Sequence, residues 1–159
     1  MLHLHSSAHK PVESQKLGEI LETAYLITPT QLEEALREQS DKPYKKLGEI
    51  IAAKGWLKQE TADFFAGKWK SLIEQTHKQP LGYYLQQAGL LDQNQIETIV
   101  SEQQEQRMWV RLGTMAVLKG WLAQTTVDYF LENLYPEEAG RSPFLKAQNE
   151  RSKQFLEAV

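Results

Sequence analysis

The sequence contains no cysteine among its 159 residues. Disulfide bonds, thiol nucleophiles and cysteine-ligated metal sites are therefore excluded. It also lacks any apolar run that approaches the roughly 20 residues needed to cross a membrane. Residues 1–15 have no apolar stretch of the kind found in a secretory signal. From these absences we expect a cytoplasmic protein with no membrane span.

The sequence has no excess of positive charge, since its formal net charge is −3 and its isoelectric point is about 5.8. We therefore expect no direct binding to nucleic acid, although a small anionic ligand depends on local charges and is not excluded. Phosphate-loop, G-x-S-x-G and paired-carboxylate patterns are also missing. His3, His5 and His9 lie on a polar arm without nearby Asp or Cys. We predict no enzyme, no metal and no cofactor.

An internal repeat of 24 residues occurs four times without a gap. The units occupy 16–39, 46–69, 80–103 and 111–134. Repeats of this length are typical of stacked helical units. Position 10 is glycine in three units and Tyr25 in the first. All four have Leu-Gly at positions 2 and 3: Leu17-Gly18, Leu47-Gly48, Leu81-Gly82 and Leu112-Gly113.

The four units also form two pairs. The second and fourth share Lys-Gly-Trp-Leu, and the first and third share a closing Glu-Gln. Equivalent units are almost equally spaced, which indicates duplication of a two-unit module. We predict a first module at 16–69 and a second module at 80–134. A flexible arm at 1–15 and a C-terminal loop and helix at 135–159 complete the predicted organisation.

Each unit has the pattern of a helix, a tight turn and a second helix. Glycine at position 10 suits the left-handed residue that ends many helices. The sequence Thr-Pro-Thr-Gln at 28–31 has a helix N-cap, a first-turn proline and a capping glutamine, and 92–95 repeats the cap. Polar connectors are expected at 40–45, 70–79 and 104–110. In the first unit the apolar residues at helical spacing are Leu17, Ile20 and Leu21, then Leu32, Ala35 and Leu36.

The predicted fold class is therefore all-α, with four helix-turn-helix repeats arranged as two paired bundles and a C-terminal helix that follows a loop from Pro136. Aromatic residues at helical spacing indicate a core. Trp56 and Trp121 occupy equivalent turns and favour a role in capping that core over stacking on a ligand. The expected aromatic core residues are Phe64, Phe65, Tyr129 and Phe130.

The 24-residue pattern of Arg-Leu-Gly, apolar residues, Gly, paired Leu or Ile, and a closing Gln resembles the MshEN-type domain. This is the N-terminal regulatory domain of type II secretion and type IV pilus ATPases, in which two tandem units bind cyclic di-GMP. The resemblance covers 16–134, and the ATPase is absent. A free-standing chain of this build also resembles the CdgR-type receptors of cyanobacteria. That resemblance implies a cyclic di-GMP effector with a protein partner, such as a transcription regulator.

In that family the opening Arg meets a guanine, the Leu-Gly backbone approaches the ligand, and the closing Gln contacts the base. The fourth unit matches the opening fully, whereas Pro80 replaces Arg in the third and Trp69 and Leu134 replace the closing Gln. The resemblance implies these ligand-binding residues: Arg111, Leu112, Gly113, Gln103, Lys16, Leu17, Gly18, Gln39, Lys46, Leu47 and Gly48. Arg107 lies one turn before Arg111 and either joins it or makes a surface pair.

The residues alone leave other interpretations open. A Leu-Gly start permits close approach of a ligand or of another helix. The spacing alone favours tight helix packing, whereas the basic residue before three of the four starts favours an anion site. Lysine binds phosphate but lacks the planar guanidinium that stacks on a base. Trp109 beside Arg111 is the better stacking candidate, whereas Arg141 and Arg151 are typical of a solvated tail. A protein-interaction adaptor that keeps the fold without binding nucleotide, and a nucleotide-degrading enzyme, are the competing functions.

Overall fold

The computed structural model describes residues 16–106 and 110–139, and the regular structure in both ranges is helical. The prediction of an all-α fold is confirmed there. Arg107, Trp109, Arg141 and Arg151, the arm and the C-terminal helix predicted after Ser142 lie outside the described residues. No described helix is long and apolar enough to cross a membrane.

The elements follow the unit pattern in chain order. The helices are α1 (Leu17–Thr23), α2 (Pro29–Asp41), α3 (Leu47–Ala53), α4 (Gln59–Asp63), α5 (Trp69–Glu74), α6 (Leu81–Gln87), α7 (Gln93–Glu105), α8 (Leu112–Leu118), α9 (Gln124–Leu134) and α10 (Pro136–Ala139), with a π-helical segment, Phe64–Lys68, between α4 and α5. Each unit therefore begins with a seven-residue helix and continues into a second helix after a tight turn.

Side-chain caps fix the starts of α2 and α7. The Gln31 backbone N–H donates to Thr28 Oγ1 at 3.1 Å, and the Thr28 N–H donates to Gln31 Oε1 at 2.9 Å. Asp92 and Gln95 make the same reciprocal pair at 2.7 and 2.9 Å. Both capping predictions are confirmed, because each pair satisfies two N–H groups that have no partner within the helix.

The four turns share a left-handed residue at unit position 10. The φ angle is 75° at Gly55, 69° at Gly89 and 74° at Gly120, as the sequence predicted. Tyr25 takes φ 62° at the same position in the first unit, although its side chain is 67% exposed. A side chain with a Cβ atom adopts this conformation only at a cost of roughly 1 kcal/mol.

Replacing Tyr25 with glycine should therefore raise the free energy of unfolding by about 1 kcal/mol. The exposed ring contributes little burial that would be lost. The reverse change, Gly120→Ala, should lower stability by about the same amount, because a Cβ atom there meets nothing within 4 Å and only the φ angle opposes it. Urea unfolding of both variants measures the two effects, and a destabilised Tyr25→Gly protein would contradict this account.

An aromatic cluster joins the second helices of the second and fourth units. Trp69 is 0% exposed, and its ring lies 4.9 Å from that of Phe130 and 5.6 Å from that of Tyr129. Trp69 Nε1 donates to Tyr129 Oη at 3.2 Å, so the buried indole N–H is satisfied. Phe64 and Phe65 complete the cluster. The predicted aromatic core is confirmed.

Besides the Trp69–Tyr129 bond, two hydrogen bonds from a side chain to a backbone carbonyl connect the first module to the second within the described residues. Thr126 Oγ1, near the start of α9, donates to the carbonyl of Ala24 at 2.8 Å. Lys58 Nζ, just before α4, donates to the carbonyl of Gly89 at 3.1 Å. Each bond joins the second helix of an even-numbered unit to the turn of an odd-numbered unit, so the modules contact each other through equivalent elements.

In each module a lysine pairs with a glutamate and lies over a tryptophan ring. Lys54 Nζ lies 3.0 Å from Glu38 Oε2 and 5.2 Å from the centre of the Trp56 ring. Lys119 Nζ lies 2.7 Å from Glu102 Oε1 and 5.4 Å from the Trp121 ring. The Glu38 hydrogen bond raises the pKa of Lys54, and the same bond lowers the pKa of Glu38.

Both tryptophans are partly buried against the core. The predicted capping role of Trp56 and Trp121 is therefore consistent with their positions.

Four element boundaries differ from the sequence prediction. Helix α5 continues to Glu74 within the expected connector at 70–79, because Leu72 and Ile73 pack against the core. Helices α2 and α7 run two residues past the expected ends of their units, to Asp41 and Glu105. The predicted loop at Pro136 is wrong, since α10 begins there with a proline whose fixed φ suits a first helical position.

Candidate ligand-binding site

The Leu-Gly starts of each module pack against each other. A Cβ atom on Gly18 would lie 3.2 Å from Leu47 Cδ2, and one on Gly48 would lie 3.6 Å from Leu17 Cδ2. The first helices therefore interlock reciprocally. The packing interpretation of the Leu-Gly starts is confirmed, and any ligand must approach beside this contact.

The second module repeats the arrangement. A Cβ atom on Gly82 would lie 3.1 Å from Leu112 Cδ1, and one on Gly113 would lie 3.1 Å from Leu81 Cδ2. Gly113 is the more crowded position, because the same Cβ atom would lie 2.8 Å from Val127 Cγ1. Side chains are thus excluded from both glycines by the neighbouring helices.

The side chain of each closing glutamine lies close to a predicted basic site residue. Gln39 Nε2 donates to the carbonyl of Lys45 at 3.3 Å, and Gln103 Nε2 donates to the carbonyl of Val110. Each acceptor immediately precedes the basic residue that opens the next unit, Lys46 or Arg111. Each module therefore places one glutamine amide next to one basic helix start, a convergence that neither the repeat nor the family pattern specified.

Both basic residues are exposed at helix starts. Lys46 is the N-cap of α3 and Arg111 is the N-cap of α8, and each has an extended backbone. The Lys46 backbone N–H donates to Glu49 Oε2 at 3.3 Å. The side chains of Lys46 and Arg111 lie on the surface, where they are available to an anion.

An apolar side chain lies one helical turn before each glutamine. Leu36 on α2 is 45% exposed, and Val100 on α7 is 38% exposed. The two residues share unit position 21. The sequence grouped Leu36 with the apolar face of its helix, but only Ala35 of that pair is buried, because the neighbouring helices do not cover the full width of the apolar stripe.

A cavity of about 480 Å³ opens at this place in the first module. It combines an ammonium group, a carboxylate, an amide and an apolar wall. We call it the first-module site. Its lining residues are Lys16, Leu17, Gly18, Glu19, Leu32, Leu36, Gln39 and Leu47.

The corresponding unit positions of the second module hold Gln103, Val100 and Arg111, and we call these residues the second-module site. Tyr83 takes the unit position of Glu19 and is 48% exposed. Pro80 stands at the start of α6 in place of a basic residue. The second module therefore has Arg111 where the first has Lys46, Tyr83 where it has Glu19, and Pro80 where it has Lys16.

The closing positions of the even-numbered units belong to the core. Trp69 and Leu134 are both 0% exposed. Neither residue is a ligand contact that has changed its type, because the side chain at position 24 of these units packs in the core between the modules. This division explains why only the first and third units carry glutamine there.

Six of the predicted residues in the first module meet at one place or beside it. Lys16, Leu17, Gly18, Gln39 and Leu47 line the cavity directly, and Lys46 follows the carbonyl held by Gln39. Gly48 lies within the contact of α3 with Ala62 rather than at the cavity. In the second module Gly113 is likewise buried, Leu112 packs on Gly82, and Arg111 and Gln103 reach the surface.

Sequence reasoning missed the cavity residues that the family pattern does not mark as contacts. Glu19 is one of them, because position 4 varies between units, and Leu32 and Leu36 belong to the predicted apolar face of α2. The available signal is the apolar residue repeated at position 21, Leu36 and Val100, which lies at the uncovered edge of the apolar stripe. Across 16–106 and 110–139 no cluster of three His, Asp or Glu residues suits a metal ion.

Comparison with known proteins finds a relative in a cyanobacterium. The chain is 37% identical over 139 residues to an uncharacterized protein of the cyanobacterium Picosynechococcus sp. strain PCC 7002, and the match covers 87% of this chain and 74% of the relative. No protein-family model matches the chain. No solved structure matches it.

Proposed function

The chain belongs to the same family as this cyanobacterial protein, and we propose that it is a receptor that binds cyclic di-GMP and relays its level to a protein partner. The observation that supports the proposal best is the convergence of a glutamine amide, a basic helix start and an exposed apolar residue in each module. The ligand class comes from the resemblance to the MshEN-type domain.

Cyclic di-GMP has chemistry that suits this combination. Its two phosphates require cations or N–H donors, and its two guanines require an apolar surface and hydrogen-bonding groups at their edges. Lys16, Lys46 and Arg111 supply the cations, and Leu36 and Val100 supply the apolar surfaces. Gln39 and Gln103 each donate one amide hydrogen to a backbone carbonyl, which leaves the amide oxygen available to a base.

We propose one ligand per module, with the four units arranged as two paired helical bundles. The basic residue of the even-numbered unit and the glutamine of the odd-numbered unit then act as one site. Both sites lie on a chain whose modules are joined through Thr126 and Lys58. In this proposal, ligand binding shifts the population of conformations presented to a protein partner, such as a transcription regulator in the cytoplasm.

Thermal unfolding with added nucleotide tests the proposal. At roughly 100 times the dissociation constant, a ligand that binds only the folded state stabilises it by about 2.7 kcal/mol per site. The melting temperature should then rise by roughly 5 °C or more. Guanosine monophosphate at the same concentration is the control. Equal melting temperatures with and without cyclic di-GMP at high micromolar concentration would contradict the proposal.

A second candidate is a protein-interaction adaptor with the same fold that does not bind nucleotide. The replacement of arginine by Lys16, Lys46 and Pro80 favours it. This candidate predicts that the partner is captured to the same extent with and without cyclic di-GMP, whereas a receptor requires the nucleotide to change that affinity. A nucleotide-degrading enzyme, the third competing function, differs from both candidates because it would convert the ligand into product.

A further inference from the structure

Glu19 and Glu49 occupy the same position in sister units but have different surroundings. Glu49 Oε2 accepts the Lys46 backbone N–H at 3.3 Å and so completes the start of α3. Glu19 instead lines the first-module site beside Lys16 and Gln39. Within the described ranges no donor is bonded to its carboxylate. The carboxylate of Glu19 is therefore available to a ligand, whereas the carboxylate of Glu49 at the same unit position stabilises the start of α3.

A carboxylate in a site for an anionic ligand needs an explanation, because it repels phosphate. The neighbouring Lys16 ammonium group offsets part of that repulsion. Leu32 and Leu36 form an apolar wall of the same cavity, against which a planar base can lie. A base held on this wall would present its edge to the polar groups around it, including the Glu19 oxygens.

Guanine is the purine whose edge suits a carboxylate. Its N1–H and N2–H₂ groups are adjacent donors, and the two oxygens of an ionised glutamate can accept from both. Adenine presents an unprotonated N1 next to its N6–H₂ group, so one carboxylate oxygen would face another acceptor. Discrimination arises from the attraction to guanine and from the repulsion of adenine.

We propose that Glu19 is a specificity-determining residue that makes the first-module site select guanine over adenine. The proposal rests on the proposed function, since it assumes that a purine dinucleotide enters this cavity. Glu49 has no such role, because its carboxylate accepts a hydrogen bond from the backbone N–H of Lys46.

The test is calorimetric titration with cyclic di-GMP and with cyclic di-AMP. Every variant also carries Arg111→Ala, which weakens the second-module site so that the first is measured. Glu19→Gln keeps the shape of the side chain but supplies an amide instead of two acceptors. Glu49→Gln is the matched control, because it removes the same charge at the same unit position and a glutamine can still cap the helix.

We expect Glu19→Gln to reduce the preference for cyclic di-GMP over cyclic di-AMP by about ten-fold, and Glu49→Gln to leave the preference as it is. An unchanged preference in Glu19→Gln, or an equal loss in Glu49→Gln, would overturn the proposal while leaving the receptor function intact. Binding that disappears completely in the Arg111→Ala parent would also overturn it. A wild-type chain that binds neither nucleotide would instead refute the proposed function.

Discussion

Trp69→Ala is expected to lower the free energy of unfolding by about 3–5 kcal/mol. The indole is fully buried among Phe64, Phe65, Tyr129 and Phe130, so its removal leaves a large apolar cavity. The hydrogen bond to Tyr129 Oη is lost as well. This loss is a large fraction of the total stability of a domain of this size, which is only about 5–15 kcal/mol.

Chemical denaturation followed by circular dichroism measures this loss, with Trp56→Ala as the control. Trp56 is only partly buried and sits at a turn under Lys54. Its replacement should therefore cost less than half as much. Equal losses in the two variants would contradict the assignment of Trp69 to the core between modules.

Arg111→Ala is expected to lower the affinity of the second-module site for cyclic di-GMP by at least about ten-fold, while the first-module site keeps its affinity. The guanidinium is the only arginine at a unit start, and it lies next to the carbonyl held by Gln103. An arginine can pair with phosphate or with a guanine edge through two parallel hydrogen bonds. Titration calorimetry reports both the number of sites and their affinities.

Two further variants separate charge from geometry. Arg111→Lys retains the charge but not the planar donor pair, so its affinity should lie between those of the wild type and the alanine variant. Lys68→Ala removes an exposed positive charge from the π-helical segment and should have little effect. If Arg111→Ala binds two ligands with unchanged affinity, then Arg111 is not part of the site.

The local features of the fold were predictable because single residues determine them. The Thr28 and Asp92 caps are formed by side chains within three residues of their partners. The turns follow from glycine at φ values near 70°. A repeated turn also allowed Tyr25 to be identified as the exception, although only the structure shows that tyrosine adopts the glycine conformation there.

The candidate site was only partly predictable because it depends on contacts between units. The sequence marked Gln39 and Gln103 but did not show that their amides hold the carbonyls before Lys46 and Arg111. It treated Trp69 and Leu134 as lost ligand contacts, whereas long-range packing makes them core residues. Exposure of Leu36 depends on which helices cover α2, and no local pattern determines that.

The most direct test of the account is a calorimetric titration of the wild-type chain with cyclic di-GMP. We expect heat of binding and two ligands per chain, one for each pairing of a closing glutamine with a basic helix start. The absence of any heat at high micromolar ligand, with a folded protein confirmed by circular dichroism, would contradict it.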